Sequence, residues 1–207
     1  MGSVWTIVVA AGTGDRFGGP KQFERLAGRR VVDWSLDAAR AATDGVVAVL
    51  PPDRVEAGGV AGGATRSASV RAGLAAVPGD AEVIVVHDAA RPLAAPELFA
   101  RVVAAVRAGA DAAIPGVAVT DTVKRVDGDR VVGTVERAGL VAVQTPQAFA
   151  AAALRRAHQG EPEATDDDAL VERDGGVVVV VAGEHRNIKI TEPDDLRVAR
   201  ALLEGVA

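Results

Sequence analysis

Apolar residues along this chain fall into short unbroken runs, separated by stretches with helical spacing. Val4–Ala10 is the first run. It predicts a strand covered on both faces, because such strands lose the polar alternation of a half-exposed one. Residues 30–42 then place Val31, Val32, Trp34, Leu36 and Ala39 on a helical period. Val46–Leu50 reads as a second strand, stopped by Pro51-Pro52. Residues 66–77 read as a helix entered through Gly62-Gly63-Ala64-Thr65. Val83–Val86 is a third strand, and residues 96–108 form a helix with Pro96 at its start. A broken strand over 112–119, an apolar strand over 177–182 and a closing helix over 193–203 complete the series. Strands alternating with helices predict right-handed βαβ units: an α/β, three-layer sandwich with a mostly parallel central sheet, in one domain over 1–207. Ligands of such sheets sit at the carboxyl ends of the strands. That rule gathers the Gly12–Lys21 loop, the segment after Val86 and the segment after Val119 on one edge.

One stretch breaks the rhythm. Residues 122–137 read as strand, turn and strand around Asp127-Gly128-Asp129, a β-hairpin arm spanning about 121–138. It has too few large apolar residues to fold alone, and an isolated hairpin is marginal in water. It must pack on its own domain or on its copy in a second subunit, and the residues leave both open.

The loop after the first strand carries the strongest chemical signal. It reads Ala10-Ala11-Gly12-Thr13-Gly14-Asp15-Arg16-Phe17-Gly18-Gly19-Pro20-Lys21-Gln22. Glycines let a backbone turn tightly and present bare N–H groups to an anion, and Arg16 and Lys21 add two cations. A dinucleotide fingerprint would need glycine at position 17, which is Phe17. A Walker A loop would need Gly-Lys followed by Ser or Thr, whereas Pro20 precedes Lys21 and Gln22 follows it. The loop is therefore a polyphosphate site of a third kind.

Composition narrows the class. The formal charge is −5, which argues against general nucleic-acid or membrane-surface binding. With no cysteine, disulfides and thiolate metal sites are excluded. No apolar run approaches the ~20 residues of a membrane helix, and no signal peptide is visible, so a cytoplasmic location is expected. Met1-Gly2 with Thr6 fits a myristoylation pattern by chance, since Thr6 lies inside the first strand. Only Lys21, Lys124 and Lys189 are lysines; the other 20 basic residues are arginine. Where lysine survives such a bias, a compact point charge is the expected reason.

Further candidates follow. Asp88, in His87-Asp88-Ala89-Ala90-Arg91-Pro92 at the end of the third strand, suits a Mg²⁺ that arrives on a nucleotide and keeps several waters. Capping of the next segment is its alternative role. His87 reads as a structural imidazole. Arg91 can brace a loop or a phosphate. Ser67 and Ser69 open a helix, where they can read a nucleoside or simply cap. Thr165-Asp166-Asp167-Asp168 resembles an acidic site, but a cap with an acidic first turn accounts better for Asp167 and Asp168. The chain lacks a Ser–His–Asp order, so nucleophilic catalysis has no parts. Nucleotidyl transfer needs few, since it works by positioning and charge neutralisation.

The loop 10–22 resembles the signature of sugar-nucleotide pyrophosphorylases. The segments 86–92, Asp121-Thr122-Val123-Lys124, Gln144-Thr145-Pro146-Gln147, Thr165-Asp166 and Asn187-Ile188-Lys189-Ile190-Thr191 narrow this. Together they resemble the 2-C-methyl-D-erythritol 4-phosphate cytidylyltransferase family, from Val4 to about Leu203. The resemblance implies a Rossmann-like nucleotidyltransferase fold that joins CTP to methylerythritol 4-phosphate with Mg²⁺. It implies catalytic roles for Arg16, Lys21 and Lys189 and a metal role for Asp88. Ala10, Ala11, Gly12, Thr13, Gly14, Gly63, Ser69, Ala89 and Arg91 would join Asp88 in holding CTP. Thr165 and Lys189 would touch the alcohol phosphate. The arm would cross to a partner subunit, giving a homodimer in which Thr122 and Arg137 complete the neighbour's pocket. Two departures bear on loop closure: the gap between Arg16 and Lys21 is shorter than in many relatives, and Phe17 stands where methionine is usual. A cytidylyltransferase for another alcohol phosphate, such as ribitol 5-phosphate, is the alternative. A catalytically silent nucleotide-binding module is the alternative from another class.

Overall fold

The computed structural model describes residues 2–205. Its elements are β1 (Val4–Val9), a small hairpin of β2 (Arg25–Leu26) and β3 (Arg29–Arg30), α1 (Val31–Ala42), β4 (Gly45–Leu50), β5 (Gly59–Ala61), α2 (Arg66–Ala76) and β6 (Val83–Asp88). There follow α3 (Pro96–Arg107), β7 (Ala112–Ala118), β8 (Val123–Asp127), β9 (Arg130–Val135), β10 (Val141–Val143) and β11 (Gln147–Ala150). The chain closes with α4 (Ala151–Ala157), α5 (Asp168–Arg173), β12 (Val178–Ala182) and α6 (Pro193–Glu204).

The central sheet runs β5, β4, β1, β6, β11, β7, with β12 on the outer side of β7 and β10 continuing the line of β11. β1 lies parallel to both β4 and β6, and β12 lies parallel to β7. Only β10 and β11 run antiparallel to their neighbours in this sheet. The continuous apolar runs explain the parallel centre: Ile7, Val8, Val49 and Val83 to Val86 are all nearly or wholly buried. On one face, Val8, Val83 and Val85 pack with α1 and α3 through Val32, Leu36, Phe99 and Val102. On the other, Ile7, Val49, Ile84 and Val86 pack with α2, α4 and α5 through Val70, Leu74, Leu154 and Leu170. A third cluster of Leu26, Val31, Leu93, Ile190 and Ala199 seats α6 and the small hairpin.

The chain leaves β1 to one side, reaches β5 at the edge, and returns through α2 to β6 on the other side of β1. That reversal opens a crevice at the carboxyl ends of β1 and β6, where open α/β sheets bind ligands. In the register Val9 stands opposite Asp88, and the Ala89 amide donates to the Val9 carbonyl at 3.0 Å. The first loop and Asp88 therefore start side by side.

The alternation of elements follows the sequence pattern, with boundaries shifted by a residue or two. β2, β3, β5, β10, β11, α4 and α5 are additions. β12 is apolar in sequence but lies at the sheet edge, with Val180 54% exposed. Residues 122–137 do form a hairpin, turning at Gly128-Asp129, and its two strands pair only with each other among the described residues.

Candidate active site

The loop after β1 folds around Gly14. Its carbonyl accepts the amides of Phe17 at 2.8 Å, Gly18 at 3.1 Å and Gly19 at 3.2 Å. Gly14 sits at φ 75°, and a Cβ there would lie 1.9 Å from the Gly19 carbonyl oxygen, so only glycine fits. Gln22, buried, ties the far end of the loop back to its start: its Nε2 donates to the carbonyls of Ala10 at 2.7 Å and Gly12 at 3.0 Å. Arg16 and Lys21 thus stand on two short 3₁₀ turns of one closed loop. The turn at Gly62-Gly63 lies against it, since a Cβ on Gly62 would reach Ala11 at 2.3 Å and Ser69 Oγ at 2.9 Å.

Asp88 is the centre of the charged groups. Lys189 Nζ donates to its Oδ2 at 2.6 Å, and Arg66 Nε lies 3.4 Å from its Oδ1. Burial disfavours the carboxylate, but the Arg66 and Lys189 cations outweigh it and hold the pKa well below the ordinary range. Lys21 belongs to the same field. Burial lowers its pKa first, then the Lys189 and Arg16 cations lower it further, against Asp88 and Asp195. Three cations crowded at one crevice repel each other, and a polyanion relieves that repulsion.

Behind Asp88, Arg66 Nη1 donates to Asp167 at 2.6 Å, and Asp167 Oδ1 shares a hydrogen bond with His158 Nε2 at 3.0 Å. Asp166 Oδ1 lies 3.3 Å from Arg66 Nη2 without forming a hydrogen bond. Burial, opposed by Arg66 and reinforced by Asp168, Asp88 and Asp167, raises Asp166 to about 6. Below the site, the Asp88 amide donates to Thr145 Oγ1 at 3.0 Å, and the same hydroxyl meets His87 Nδ1 at 3.1 Å. Burial lowers His87 to about 4, which leaves a neutral structural imidazole near pH 7. A groove of about 830 Å³ lies elsewhere: it opens beside the start of β1, lined by Val4, Asp44, Val103 and Arg107 among others. None of the charged groups above reaches it, so the chemistry locates the site and the groove does not.

Comparison with known proteins settles the family. A family model described as IspD, 2-C-methyl-D-erythritol 4-phosphate cytidylyltransferase, matches residues 4–205. The chain belongs to this family. A protein of that name from Nocardia farcinica is 47% identical over 220 residues, covering 98% of this chain and 95% of its own. Another from Rhodococcus opacus is 48% identical over 218 residues, covering 98% and 96%. The crystal structure of the Thermus thermophilus enzyme of that name superposes with a TM-score of 0.84 at 37% identity, covering 96% of this chain and 98% of that one. The chain is therefore a cytidylyltransferase, and the silent binding module is set aside.

Against the family's implied site, the structure brings Arg16, Lys21, Asp88 and Lys189 together. Ala10, Ala11, Gly12, Thr13 and Gly14 lie on the loop that leaves β1, and the Gly62-Gly63 turn lies against Ala11. Ala89 is buried against β1. Ser69 is buried and its hydroxyl is engaged, accepting from the Gly63 amide at 3.2 Å and donating to the Thr65 carbonyl at 2.9 Å. It shapes the turn, while Thr65 caps α2 by accepting the Ala68 amide at 3.0 Å. Ser67 likewise is turned inward, to the Ala164 backbone. Arg91 braces loops, donating to the carbonyls of Asn187 at 2.8 Å and Val143 at 3.2 Å. Thr165 is exposed beside the acidic segment. Thr122 and Arg137 stay out on the arm, where Arg137 donates to the Thr120 carbonyl.

Two corrections follow. Asp167 stands at the N-cap position of α5 but makes no capping bond; its carboxylate is fully buried on Arg66 and His158. Lys124, for all the bias against lysine, bonds Thr134 across the arm at 2.6 Å and takes no part in the cluster. Arg66 itself is missing from the sequence expectations. A cation at the first turn of a helix opposes the helix dipole. That mismatch is the one signal of nearby acids that the sequence offers.

Proposed function

We propose that this site joins CTP to 2-C-methyl-D-erythritol 4-phosphate, giving 4-diphosphocytidyl-2-C-methyl-D-erythritol and pyrophosphate. The gathering of Lys21 and Lys189 around Asp88 at the β1–β6 crevice, with Arg16 beside Lys21, carries this reading. The substrate phosphate is ionised near neutral pH, so its oxygen attacks the α-phosphorus without a general base. The P–O bond to the β-phosphate breaks in line and pyrophosphate leaves. Arg16 and Lys21 neutralise the charge that gathers on the leaving group, and Lys189 approaches the α-phosphate from the other wall. The glycine loop presents backbone amides to the triphosphate, and the Gly63 turn, held by Ser69, faces the nucleoside.

Mg²⁺ fits Asp88. The carboxylate is held ionised at the crevice, and no group of three or more His, Cys, Asp or Glu among the described residues is arranged to hold a metal. One carboxylate plus substrate phosphates is how Mg²⁺ is commonly bound, and there the ion would neutralise the triphosphate. Lys189 rests on Asp88 in the free protein; with Mg²⁺ held by Asp88, its ammonium would be available to the nucleotide.

The proposed working form is a cytoplasmic homodimer joined through the arm. Val126, Val131 and Val132 of the arm are 58%, 56% and 52% exposed, a solvent-facing apolar set that a second copy would cover. Thr122 and Arg137 would then enter the neighbour's pocket, where Thr165 and Lys189 meet the alcohol phosphate. No described helix is long and apolar enough to cross a membrane.

Pyrophosphate release from CTP and Mg²⁺ is the direct test. Methylerythritol 4-phosphate should support it, and ribitol 5-phosphate should not; turnover of ribitol phosphate alone would reverse the assignment. Arg137→Ala is expected to raise KM for methylerythritol phosphate while leaving KM for CTP nearly unchanged. An unaltered KM for the alcohol phosphate would remove the shared pocket.

A further inference from the structure

Arg66 lies between a buried anchor and the reacting site. Its Nη1 is fixed at 2.6 Å on Asp167, a carboxylate with no exposed surface, and Asp167 Oδ1 meets His158 Nε2 at 3.0 Å. His158 Nδ1 is buried and has no partner. A bare acceptor is tolerated there more cheaply than a bare N–H, so Nε2 carries the proton that Asp167 accepts. The other side of the guanidinium reaches Asp88, with Nε at 3.4 Å and Nη2 at 3.5 Å. Asp88 in turn holds Lys189 at 2.6 Å. One line of side chains thus runs His158, Asp167, Arg66, Asp88, Lys189, drawn from α4's end, α5, α2, β6 and the segment before α6.

Only arginine spans such a line, since its planar fork offers five donors in fixed directions. As stabilisation alone it is a poor device, because a buried ion pair is often no better than apolar packing. We propose that Arg66, locked by Asp167 and His158, is a positioning residue for cytidylyl transfer: it fixes the Asp88 carboxylate and, through it, the resting place of the Lys189 ammonium. This rests on the function proposed above. Arg71 supplies the contrast. It lies on the same helix and ties down the same loop, through the Pro162 carbonyl at 2.9 Å and Glu163 at 3.0 Å, with no bond to Asp88.

Asp167→Asn, nearly isosteric, is expected to lower kcat by about 10- to 100-fold, the usual effect of losing a residue that orients an active group. CTP affinity measured without the second substrate should change much less. Arg71→Gln should lower Tm and keep kcat. Asp167→Asn added to Asp88→Asn should cost nothing further. Arg66→Lys, which keeps the charge and so protects the fold, should lose kcat as Asp167→Asn does, because one ammonium cannot hold two carboxylates apart. The role can also be read without turnover. The chain has three lysines, so ¹³C-methylation gives few signals. The Lys189 resonance should move in Asp167→Asn and in Arg66→Lys, while that of Lys124 stays. A stationary Lys189 signal overturns the proposal. So does a kcat within about twofold of the parent in both variants, or a loss that adds fully to that of Asp88→Asn. A parent that releases no pyrophosphate, with variants that still show the Lys189 shift, would count against the proposed reaction and leave the positioning role standing.

Discussion

Lys189→Ala and Lys21→Ala each lower turnover by about two to three orders of magnitude, the usual cost of one lost donor to transition-state charge. The size follows from where these cations stand. Lys189 contacts Asp88 at the end of β6, and Lys21 closes the glycine loop that begins opposite it. In the free enzyme, burial and mutual repulsion make charge on Lys21 costly. A triphosphate that spreads negative charge between the two lysines relieves that cost most when charge peaks, in the transition state. Neither truncation should unfold the protein. The Lys189 side chain is 42% exposed, and Asp88 keeps Arg66 as a partner when Lys189 is gone. The measurement is the single-turnover rate of pyrophosphate release, with Tm as the check on folding. Arginine is not expected to restore either site, since its broad planar head replaces a compact point charge. Near-parental rates in both alanine variants would remove the proposed chemistry.

Gly14→Ala should cost CTP binding roughly 10- to 100-fold while leaving Tm within a few degrees. A left-handed residue other than glycine costs ~1–3 kcal/mol, and each 1.4 kcal/mol is tenfold in affinity. Here the added methyl also meets the Gly19 carbonyl oxygen at 1.9 Å, backbone on backbone, so the loop must open. Three amides that end on the Gly14 carbonyl then lose their acceptor, and Arg16 and Lys21 lose their common frame. Stability is spared because residues 12–22 lie outside the three apolar clusters, apart from Phe17, which packs at the margin of one; Ala10 and Ala11, which do pack in the core, precede the Gly14 turn. Gly18→Ala is the control: φ is 87° there as well, but nothing lies within 4 Å of the new Cβ. It should show only the modest cost of the backbone conformation. Equal CTP affinities for the two variants would mean that the closed loop is not what binds the nucleotide.

Much of this site could be read along the chain because its parts are local. A strand that must be apolar on both faces, a loop that must be glycine, and an aspartate at a strand end each leave a mark within a few residues. Lys21 and Lys189 stood out against an arginine-rich background, though the same reasoning overvalued Lys124. Asp167 shows the limit. At a helix start, an acid suits the dipole whether it caps the helix or turns inward, and neighbouring residues cannot separate the two. β11 was hidden for a similar reason: Gln147–Ala150 is short, and antiparallel pairing leaves no sign in a strand of four residues.

The amino-acid sequence by itself determined the alternation of strands and helices, the closed glycine loop and the family, because hydrophobic period, glycine geometry and ordered motifs act over short distances. The tertiary structure alone decided which charges meet. Arg66 lies 22 residues from Asp88 and 101 from Asp167, and Lys189 lies 101 residues from Asp88. Electrostatic energy depends on separation in space and on burial. Both arise only when β1 and β6 pair and the helices close over them.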